Sequence, residues 1–263
     1  MSIAVCYLTD GRNDPSVRRL SIASLRRHCG EDVQVHVLSA RGLYEPRCGE
    51  TLVDVTETWD WVFGRDRDMA KPPCEGCNYP SLLFAKLLPP LIPYFAQFDR
   101  VAVLDDDIEV ASPDFLPALS AVPLYDDADI ALVPDTAAKR CAWVNLIMRD
   151  KRTRPLWPAG ATYFCMGVVL HRTTWTPGYL DRTRMCLSEC ARWRFCLPEE
   201  MSANLYMRVQ GLDEHVSMIP EYPEVDRVGA SAEELKTALS IHWAGPRKNA
   251  ELPKWAARYP EVK

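Results

Sequence analysis

The sequence predicts an open α/β sheet with mostly parallel strands, flanked by helices and built as a single domain. Three observations predict it. Short apolar runs stop at polar residues, amphipathic segments separate them, and a strand, a helix and a second strand follow one another at the start of the chain. The 263 residues suffice for one such domain with insertions, and the hydrophobic content of 48% is ordinary for a globular protein.

The first βαβ unit opens the chain. Ile3–Leu8 is an apolar run that ends at polar residues, which is typical of a buried strand. Asp14 and Pro15 form an N-cap and first-turn pair, and the helix that they open is expected to run to His28. Residues 33–38 are predicted to form the second strand. Because a helix connects them, the two strands are expected to be parallel.

The rest of the chain continues the alternation. Residues 57–79, with two tryptophans and many charges, are expected to be irregular. Pro80 is predicted to open a helix through Leu88, and residues 173–210 are expected to be mainly helical. Further strands are predicted at residues 51–55, 100–104, 129–134 and 162–171. Open sheets of this kind bind ligands beyond the carboxyl ends of their strands, so a functional site is expected there.

Charge and hydropathy argue against some classes of function. The formal net charge of −5 is unlike that of nucleic-acid-binding proteins, which normally carry a basic surplus. The N-terminal segment has no basic region before its short apolar run, so it does not resemble a signal peptide. No stretch approaches the roughly 18 apolar residues that a membrane-spanning helix needs. A cytoplasmic protein without a nucleic-acid partner is therefore expected.

Ten cysteines are present, and in a cytosolic chain they are not expected to form disulfides. Cys74 and Cys77 form a CxxC pair that can supply half of a structural zinc site, and Cys186, Cys190 and Cys196 form a second group. Reduced thiols are favoured, because no second CxxC or CxxH completes a tetrahedral site. A zinc-stabilised binding module stays open as a non-enzymatic alternative.

Three adjacent aspartates, Asp105, Asp106 and Asp107, directly follow the apolar run at residues 101–104. Carboxylates grouped at the end of a buried strand repel one another unless a cation is present. Residues two apart in an extended chain point the same way, so Asp105 and Asp107 can reach one ion while Asp106 points aside. Mg²⁺ and Mn²⁺ take such oxygen ligands and leave positions open for substrate phosphates. A metal site is therefore favoured over a solvated acidic turn.

Five segments follow the order of a known set of motifs. DRVAVLDDDI at residues 99–108 contains a DxD motif, and YPSLLFAK at 79–86 is a segment with one basic residue. YFCMGV at 163–168 resembles an FNxGV strand, EEMSAN at 199–204 stands in the place of DQDxxN, and HWAGPRK at 242–248 fits HxxGxxK. Together these segments resemble the retaining glycosyltransferases of family 8, which include glycogenin and bacterial lipopolysaccharide galactosyl- and glucosyltransferases.

The resemblance implies a GT-A fold over the whole chain, with residues 1–110 as the nucleotide-binding half and residues 111–263 as the donor-sugar and acceptor half. It implies metal-dependent, retaining transfer of a hexose, glucose or galactose, from a UDP-sugar to a glycan or other hydroxyl acceptor. Mn²⁺, or alternatively Mg²⁺, would be held by Asp105, Asp107 and His242. The donor would be contacted by Tyr7, Thr9, Asp10, Lys86, Asp106, Gly167, Gly245 and Lys248.

The resemblance also implies that Glu199 and Glu200 lie beside the transferred sugar, as the candidate catalytic residues. Glu200 replaces a glutamine that lies near the anomeric carbon in the family, and a carboxylate there can stabilise an oxocarbenium ion or act as a nucleophile. Cys165 and Met166 replace an expected Asn-Ser or Asn-Ala pair, so the resemblance does not carry over one hydrogen bond to the donor sugar. Both glutamates also follow Pro198, where acids favour the start of a helix.

Other readings stay open at this point. The run at residues 104–108 also resembles the DxD of haloacid-dehalogenase-like phosphatases, although that motif normally follows the first strand of the chain. A sugar-phosphate nucleotidyltransferase would need a glycine-rich basic loop after the first strand, and residues 8–13 are too short for one. The acceptor cannot be read from the sequence. Residues 57–79 and 138–160 are the candidate acceptor loops, and peripheral association with the inner face of a membrane is left open.

Overall fold

The computed structural model describes the chain except at residues 10–14, 41, 48, 76, 78, 125–129, 136–146, 149–150, 158–160, 194–197, 210–215, 221–231, 244–247 and 263. The described strands are β1 (Ile3–Leu8), β2 (Val35–Ser39), β3 (Glu50–Asp54), β4 (Arg100–Leu104), β5 (Ile108–Val110), β6 (Ile130–Asp135), β7 (Tyr163–Arg172), β8 (Ser217–Met218) and β9 (Ser240–His242). The described helices are α1 (Pro15–Cys29), α2 (Thr56–Phe63), α3 (Phe115–Ala121), α4 (Tyr179–Trp193), α5 (Pro198–Val209), α6 (Ala232–Thr237) and α7 (Lys248–Ala256). No helix in this part of the chain combines the length and hydropathy that a bilayer crossing requires.

Seven of these strands form one sheet in the order β3-β2-β1-β4-β7-β6-β8. Strands β3, β2, β1 and β4 are parallel, whereas β7 is antiparallel to both of its neighbours. The predicted mostly parallel sheet is therefore confirmed. The chain builds outwards from β1 to β3 and then returns to the other side of β1 with β4. The switch in strand order, where open sheets bind ligands, thus lies between β1 and β4.

The sheet is buried on both faces, as the apolar runs of its strands require. Alternate residues of β1 point to opposite sides. Ala4 and Cys6 belong to the core shared with α2, α4 and α5, whereas Val5 belongs to the core shared with α1 and α3. The sheet is therefore the middle layer of three, and the loops at its carboxyl edge are the part free to hold a ligand.

Two local predictions between β3 and β4 were right only in part, since the described residues of 64–79 do form no helix or strand. Residues 57–79 were expected to be irregular, but α2 occupies Thr56–Phe63 and buries Trp59 completely. The Asp54 carboxylate, one residue before the N-cap Val55, accepts the Thr56 N–H at 2.9 Å. The helix predicted from Pro80 is a 3₁₀ helix at Ser81–Leu87, followed by shorter 3₁₀ turns at Pro89–Leu91 and Pro93–Gln97. The prolines in this stretch have no N–H to donate, so an α-helical ladder cannot continue through it.

A second, two-stranded sheet of β5 and β9 lies beyond the carboxyl end of β4. Its antiparallel register places Ile108 opposite His242. Helix α1 holds β5 in place through two buried serines: the Ser21 hydroxyl donates to the Ile108 carbonyl, and the Ser24 hydroxyl accepts the Val110 N–H at 2.9 Å. The small sheet therefore brings the C-terminal part of the chain beside the three aspartates.

Candidate metal and donor site

Three potential metal ligands converge at the switch in strand order. Asp105, Asp107 and His242 each offer one ligand atom, and these atoms lie within 4.8 Å of one another. Nε2 of His242 is 3.3 Å from Oδ1 of Asp107. The two aspartates follow β4, and the β5–β9 pairing supplies the histidine. Two carboxylates and one imidazole form a donor set that fits Mn²⁺ or another first-row divalent metal.

Lys86 lies against one of these ligands. Its Nζ is 2.6 Å from Oδ1 of Asp105 and donates to the Met166 carbonyl at 3.2 Å. Burial raises the pKa of Asp105; the Lys86 ammonium lowers it, and the neighbouring Asp107 raises it further. The Asp105 side chain nevertheless remains 29% exposed, so an ion can reach it from the solvent side. The buried ammonium compensates a carboxylate that would otherwise be unpaired.

Asp106 points away from the converging ligands. Its carboxylate is buried, with Oδ2 3.7 Å from Nη1 of Arg18. Arg18 is itself buried and stacks on the Tyr44 ring at 4.4 Å from the ring centroid. Asp105 and Asp107 share one site as predicted, but the prediction assumed an extended chain; the structure has a turn here, in which the Ile108 N–H donates to the Asp105 carbonyl at 3.1 Å. The contact of Asp106 with a donor stays a prediction.

Glu200 is hydrogen-bonded to residues of β7 beside the converging ligands. Its carboxylate accepts the Tyr163 hydroxyl at 2.8 Å and the Met166 N–H at 3.1 Å. Because Lys86 binds the carbonyl of that same methionine, the ammonium and the glutamate are joined through one residue of β7. Gly167 follows directly, and its carbonyl accepts the Asp105 N–H at 2.8 Å. The structure thus gathers the candidate catalytic carboxylate, Lys86 and the ligand group around one stretch of β7.

The structure describes only some of the other residues that were predicted to contact the sugar donor. Tyr7 is fully buried in β1, where burial raises its pKa and its hydroxyl oxygen lies 3.0 Å from that of Ser21. Thr9 is buried at the carboxyl end of β1, and its N–H donates to the Leu38 carbonyl at 3.0 Å. Asp10, Gly245 and the side chains of Glu199 and Lys248 lie outside the described residues. Their roles stay predictions.

Sequence reasoning missed the buried network around Glu109. This carboxylate is 2% exposed and accepts from Nε1 of Trp243 at 2.8 Å, the Tyr259 hydroxyl at 2.9 Å and Nη1 of Arg258 at 3.2 Å. The backbone N–H of Trp243 donates to the Asp107 carbonyl at 2.9 Å. Glu109 therefore ties the C-terminal residues to β5, next to two of the ligands. A lone acid between Ile108 and Val110 was the available signal.

A second missed residue, His171, supports Lys86 from behind. His171 is fully buried, and its Nε2–H donates to the Lys86 carbonyl at 2.7 Å. Its Nδ1 lies 3.3 Å from the Tyr179 hydroxyl, which also donates to the Leu87 carbonyl at 2.8 Å. Burial lowers the pKa of His171 to about 4. The histidine is therefore neutral near pH 7, and it positions the backbone that carries the ammonium.

Comparison with known proteins gives structural likeness and little sequence likeness. No protein-family model and no curated protein matches the sequence. A crystal structure of the galactosyltransferase LgtC with donor and acceptor sugar analogues superposes with a TM-score of 0.60 at 15% identity, covering 98% of this chain and 94% of that one. The mouse xyloside xylosyltransferase 1 gives 0.56 at 14% identity, covering 92% and 96%. The bifunctional glycosyltransferase WbbM gives 0.57 at 15% identity, covering 93% of this chain and 46% of that one.

Likeness at such low identity establishes the fold alone. LgtC and the xylosyltransferase both share this fold over nearly the whole length of the chain. The phosphatase alternative places its DxD after the first strand, whereas Asp105 here follows β4, the fourth strand among the described residues. The chain therefore has the GT-A glycosyltransferase fold, as the sequence predicted.

Proposed function

We propose that the chain is a metal-dependent glycosyltransferase of the family 8 type, which moves a hexose, glucose or galactose, from a UDP donor to a hydroxyl acceptor with retention. One observation carries this proposal. Asp105, Asp107 and His242 come together from distant parts of the sequence at the switch in strand order of a GT-A fold. A solvated acidic turn gives no reason for a histidine to join the carboxylates.

The donor set suits Mn²⁺, with Mg²⁺ as the second choice because of the imidazole. When bound, the ion would act as a Lewis acid that stabilises the UDP leaving group. Asp105 and Asp107 would hold the ion with His242, and each must be deprotonated to do so. Lys86 would exchange its partner: the ammonium that now compensates Asp105 would be released to hydrogen-bond the donor.

Glu200 is the chain's candidate for stabilising charge at the reacting carbon. The Tyr163 hydroxyl and the Met166 N–H fix its orientation, so the carboxylate enters the reaction already positioned. It would offset positive charge that develops on the sugar as UDP departs. The acceptor would then attack from the face that the leaving group occupied, which gives retention.

Isothermal titration of UDP, with and without Mn²⁺, tests the central claim. We expect UDP to bind measurably only when the metal is present. Asp107→Asn and His242→Gln should each weaken this binding by more than about tenfold, because changes beyond the direct ligands already cost that much. Asp114→Asn is the matched control, since it makes the same change at an exposed position. UDP binding of equal affinity with and without the metal would overturn the proposal.

Slow hydrolysis of UDP-sugars without acceptor would then identify the sugar. UDP-glucose and UDP-galactose are the expected donors, and UDP-xylose belongs in the panel because a xylosyltransferase shares the fold. Hydrolysis of UDP-xylose alone would replace the hexose in the proposal with a pentose. It would leave the metal site and the reaction class unchanged.

A further inference from the structure

The buried carboxylate of Glu109 lies on the face of the β5–β9 sheet opposite to the imidazole of His242. The antiparallel register pairs Glu109 with Ile241 and Ile108 with His242. Because side chains alternate along a strand, the Glu109 carboxylate and the imidazole point to opposite faces. An influence of Glu109 on the imidazole therefore passes through the backbone of the two strands.

The strands that bring His242 to the site are short. Strands β5 and β9 have 3 residues each, so few ladder hydrogen bonds fix how one strand lies along the other. A slip of the pairing by one residue would turn every side chain of β9 to the other face of the sheet. The imidazole would then leave Asp107, although its Nε2 is now 3.3 Å from Oδ1 of that residue. The site thus requires a register that the ladder alone specifies weakly.

Contacts of Trp243, the residue after His242, supply the missing constraint. Its indole Nε1–H donates to Oε2 of Glu109 at 2.8 Å, and its backbone N–H donates to the Asp107 carbonyl at 2.9 Å. Its ring stacks on Trp255 of α7, with the ring centroids 5.7 Å apart and an interplanar angle of 4°. A displacement of β9 by one residue would break all of these contacts.

The other donors to Glu109 come from residues that follow α7. Nη1 of Arg258 lies 3.2 Å and the Tyr259 hydroxyl 2.9 Å from Oε1 of the carboxylate. Arg27 of α1 holds both residues: its guanidinium stacks 4.3 Å from the centroid of the Tyr259 ring and donates to the Arg258 carbonyl at 2.5 Å. Since α1 also binds β5 through its buried serines, the contacts of Glu109 close on one helix.

We propose that Glu109 is a positioning residue for the metal site, which fixes the register of β9 and thereby holds His242 beside Asp107. This role rests on the proposed function, in which Asp107 and His242 ligate one ion. A carboxylate suits the task because it accepts several directional hydrogen bonds at once. An apolar side chain would leave the buried indole N–H and phenol O–H without an acceptor.

Mn²⁺ titration of Glu109→Gln without UDP, followed by the electron paramagnetic resonance signal of the free ion, tests this role. We expect an affinity about tenfold weaker than that of the wild type, since groups that orient metal ligands typically contribute that much. Glu261→Gln is the matched control and should keep the wild-type affinity, because this exposed glutamate also pairs with an arginine. Val62→Ala, which opens a cavity beside α2, should lower stability and leave Mn²⁺ affinity unchanged.

A double-mutant cycle with His242→Ala separates positioning from a direct effect on the ion. Without the imidazole, Glu109→Gln should change the remaining Mn²⁺ affinity by less than about twofold, because its effect passes through His242. Tyr259→Phe removes one O–H donor and serves if Glu109→Gln does not fold; it should weaken Mn²⁺ binding several-fold. Wild-type affinity in the variant measured, or an equal loss with and without the imidazole, would overturn the positioning role.

The outcomes separate this role from the proposed function. A wild type that binds Mn²⁺ but no UDP would contradict the proposed function, and the comparison of Mn²⁺ affinities would still decide the role of Glu109. In a wild type that binds no Mn²⁺, the imidazole nitrogen resonances of His242 become the readout. A change in those resonances in Glu109→Gln, with none in Glu261→Gln, would support the positioning role, and matching spectra would overturn it.

Discussion

Lowering the pH should destabilise this fold through one histidine. His171 belongs to β7 and is fully buried, and its Nε2–H donates to the carbonyl of Lys86 in the neighbouring 3₁₀ helix. Protonation of His171 would bury a positive charge beside the Tyr179 hydroxyl, which already donates its proton to the Leu87 carbonyl. The folded chain therefore binds a proton at His171 less readily than the unfolded chain does.

The size of the effect follows from the two pKa values. The pKa of His171 is lowered from an ordinary 6.5 to about 4 in the fold. Between these values the unfolded chain binds more protons than the folded chain, so stability falls as the pH falls. Full stability is present above about pH 6.5. A shift of this size corresponds to about 3 kcal/mol lost between about pH 7 and pH 4, at 1.36 kcal/mol per pKa unit.

Urea unfolding at a series of pH values, on the wild type and His171→Gln, isolates this contribution. Carboxylates and His36 also titrate in this range, but they are common to both proteins and cancel in the difference. We expect the stability advantage of the wild type over the variant to shrink by about 3 kcal/mol as the pH falls to 4. The half-exposed His28 is the control position for the same substitution. A difference that stays constant with pH would refute the reasoning.

Three further substitutions test the site. Lys86→Met should tighten Mn²⁺ binding in the absence of donor by several-fold, since the ion no longer displaces an ammonium 2.6 Å from Asp105. Turnover should fall in the same variant. Titration calorimetry measures the metal affinity, and a donor assay measures the turnover. Glu109→Gln should lower the free energy of unfolding in urea by about 2 kcal/mol, because three donors lose a charged acceptor. Glu200→Gln should lower turnover on the order of 100-fold with donor affinity nearly unchanged.

Each of these outcomes can be contradicted separately. Unchanged or weaker Mn²⁺ binding in Lys86→Met would show that the ammonium does not compete with the metal. Stability equal to wild type in Glu109→Gln would show that the buried charge is replaceable by an amide, and Glu261→Gln is its exposed control. A fall in donor affinity alone in Glu200→Gln would remove Glu200 from the reaction.

The central strands could be predicted closely, because their signal is local. Ile3–Leu8 and Arg100–Leu104 were predicted at the bounds that the structure shows, since each is an apolar run between polar residues. Helix α2 could not be predicted with such ease. Its eight residues bury Thr58, Trp59 and Val62 against the core, and such a short pattern is hard to distinguish from a loop.

The site was predictable only in part, for a related reason. Asp105 and Asp107 were paired by assuming alternation along an extended stretch. The structure has a turn at these residues, and it is this turn that brings the two carboxylates together. His242 is far along the chain and is brought in by the pairing of β5 with β9, so only a resemblance could suggest it. Arg18 and Glu109 belong to contacts between distant segments, and no spacing rule reveals them. Side chains that act through long-range packing are therefore the ones that sequence reasoning misses.

The charges around the aspartates explain why a metal and a diphosphate would depend on each other. Asp106 is paired with Arg18, and Glu109 has its own donors, so neither adds an uncompensated charge to the site. Asp105 and Asp107 with the ammonium of Lys86 leave one net negative charge, since His242 must be neutral to bind a metal. A diphosphate alone is repelled by that charge. A divalent ion offsets that charge together with the charge of Glu200, so the repulsion of the donor would be removed only after the ion is in place.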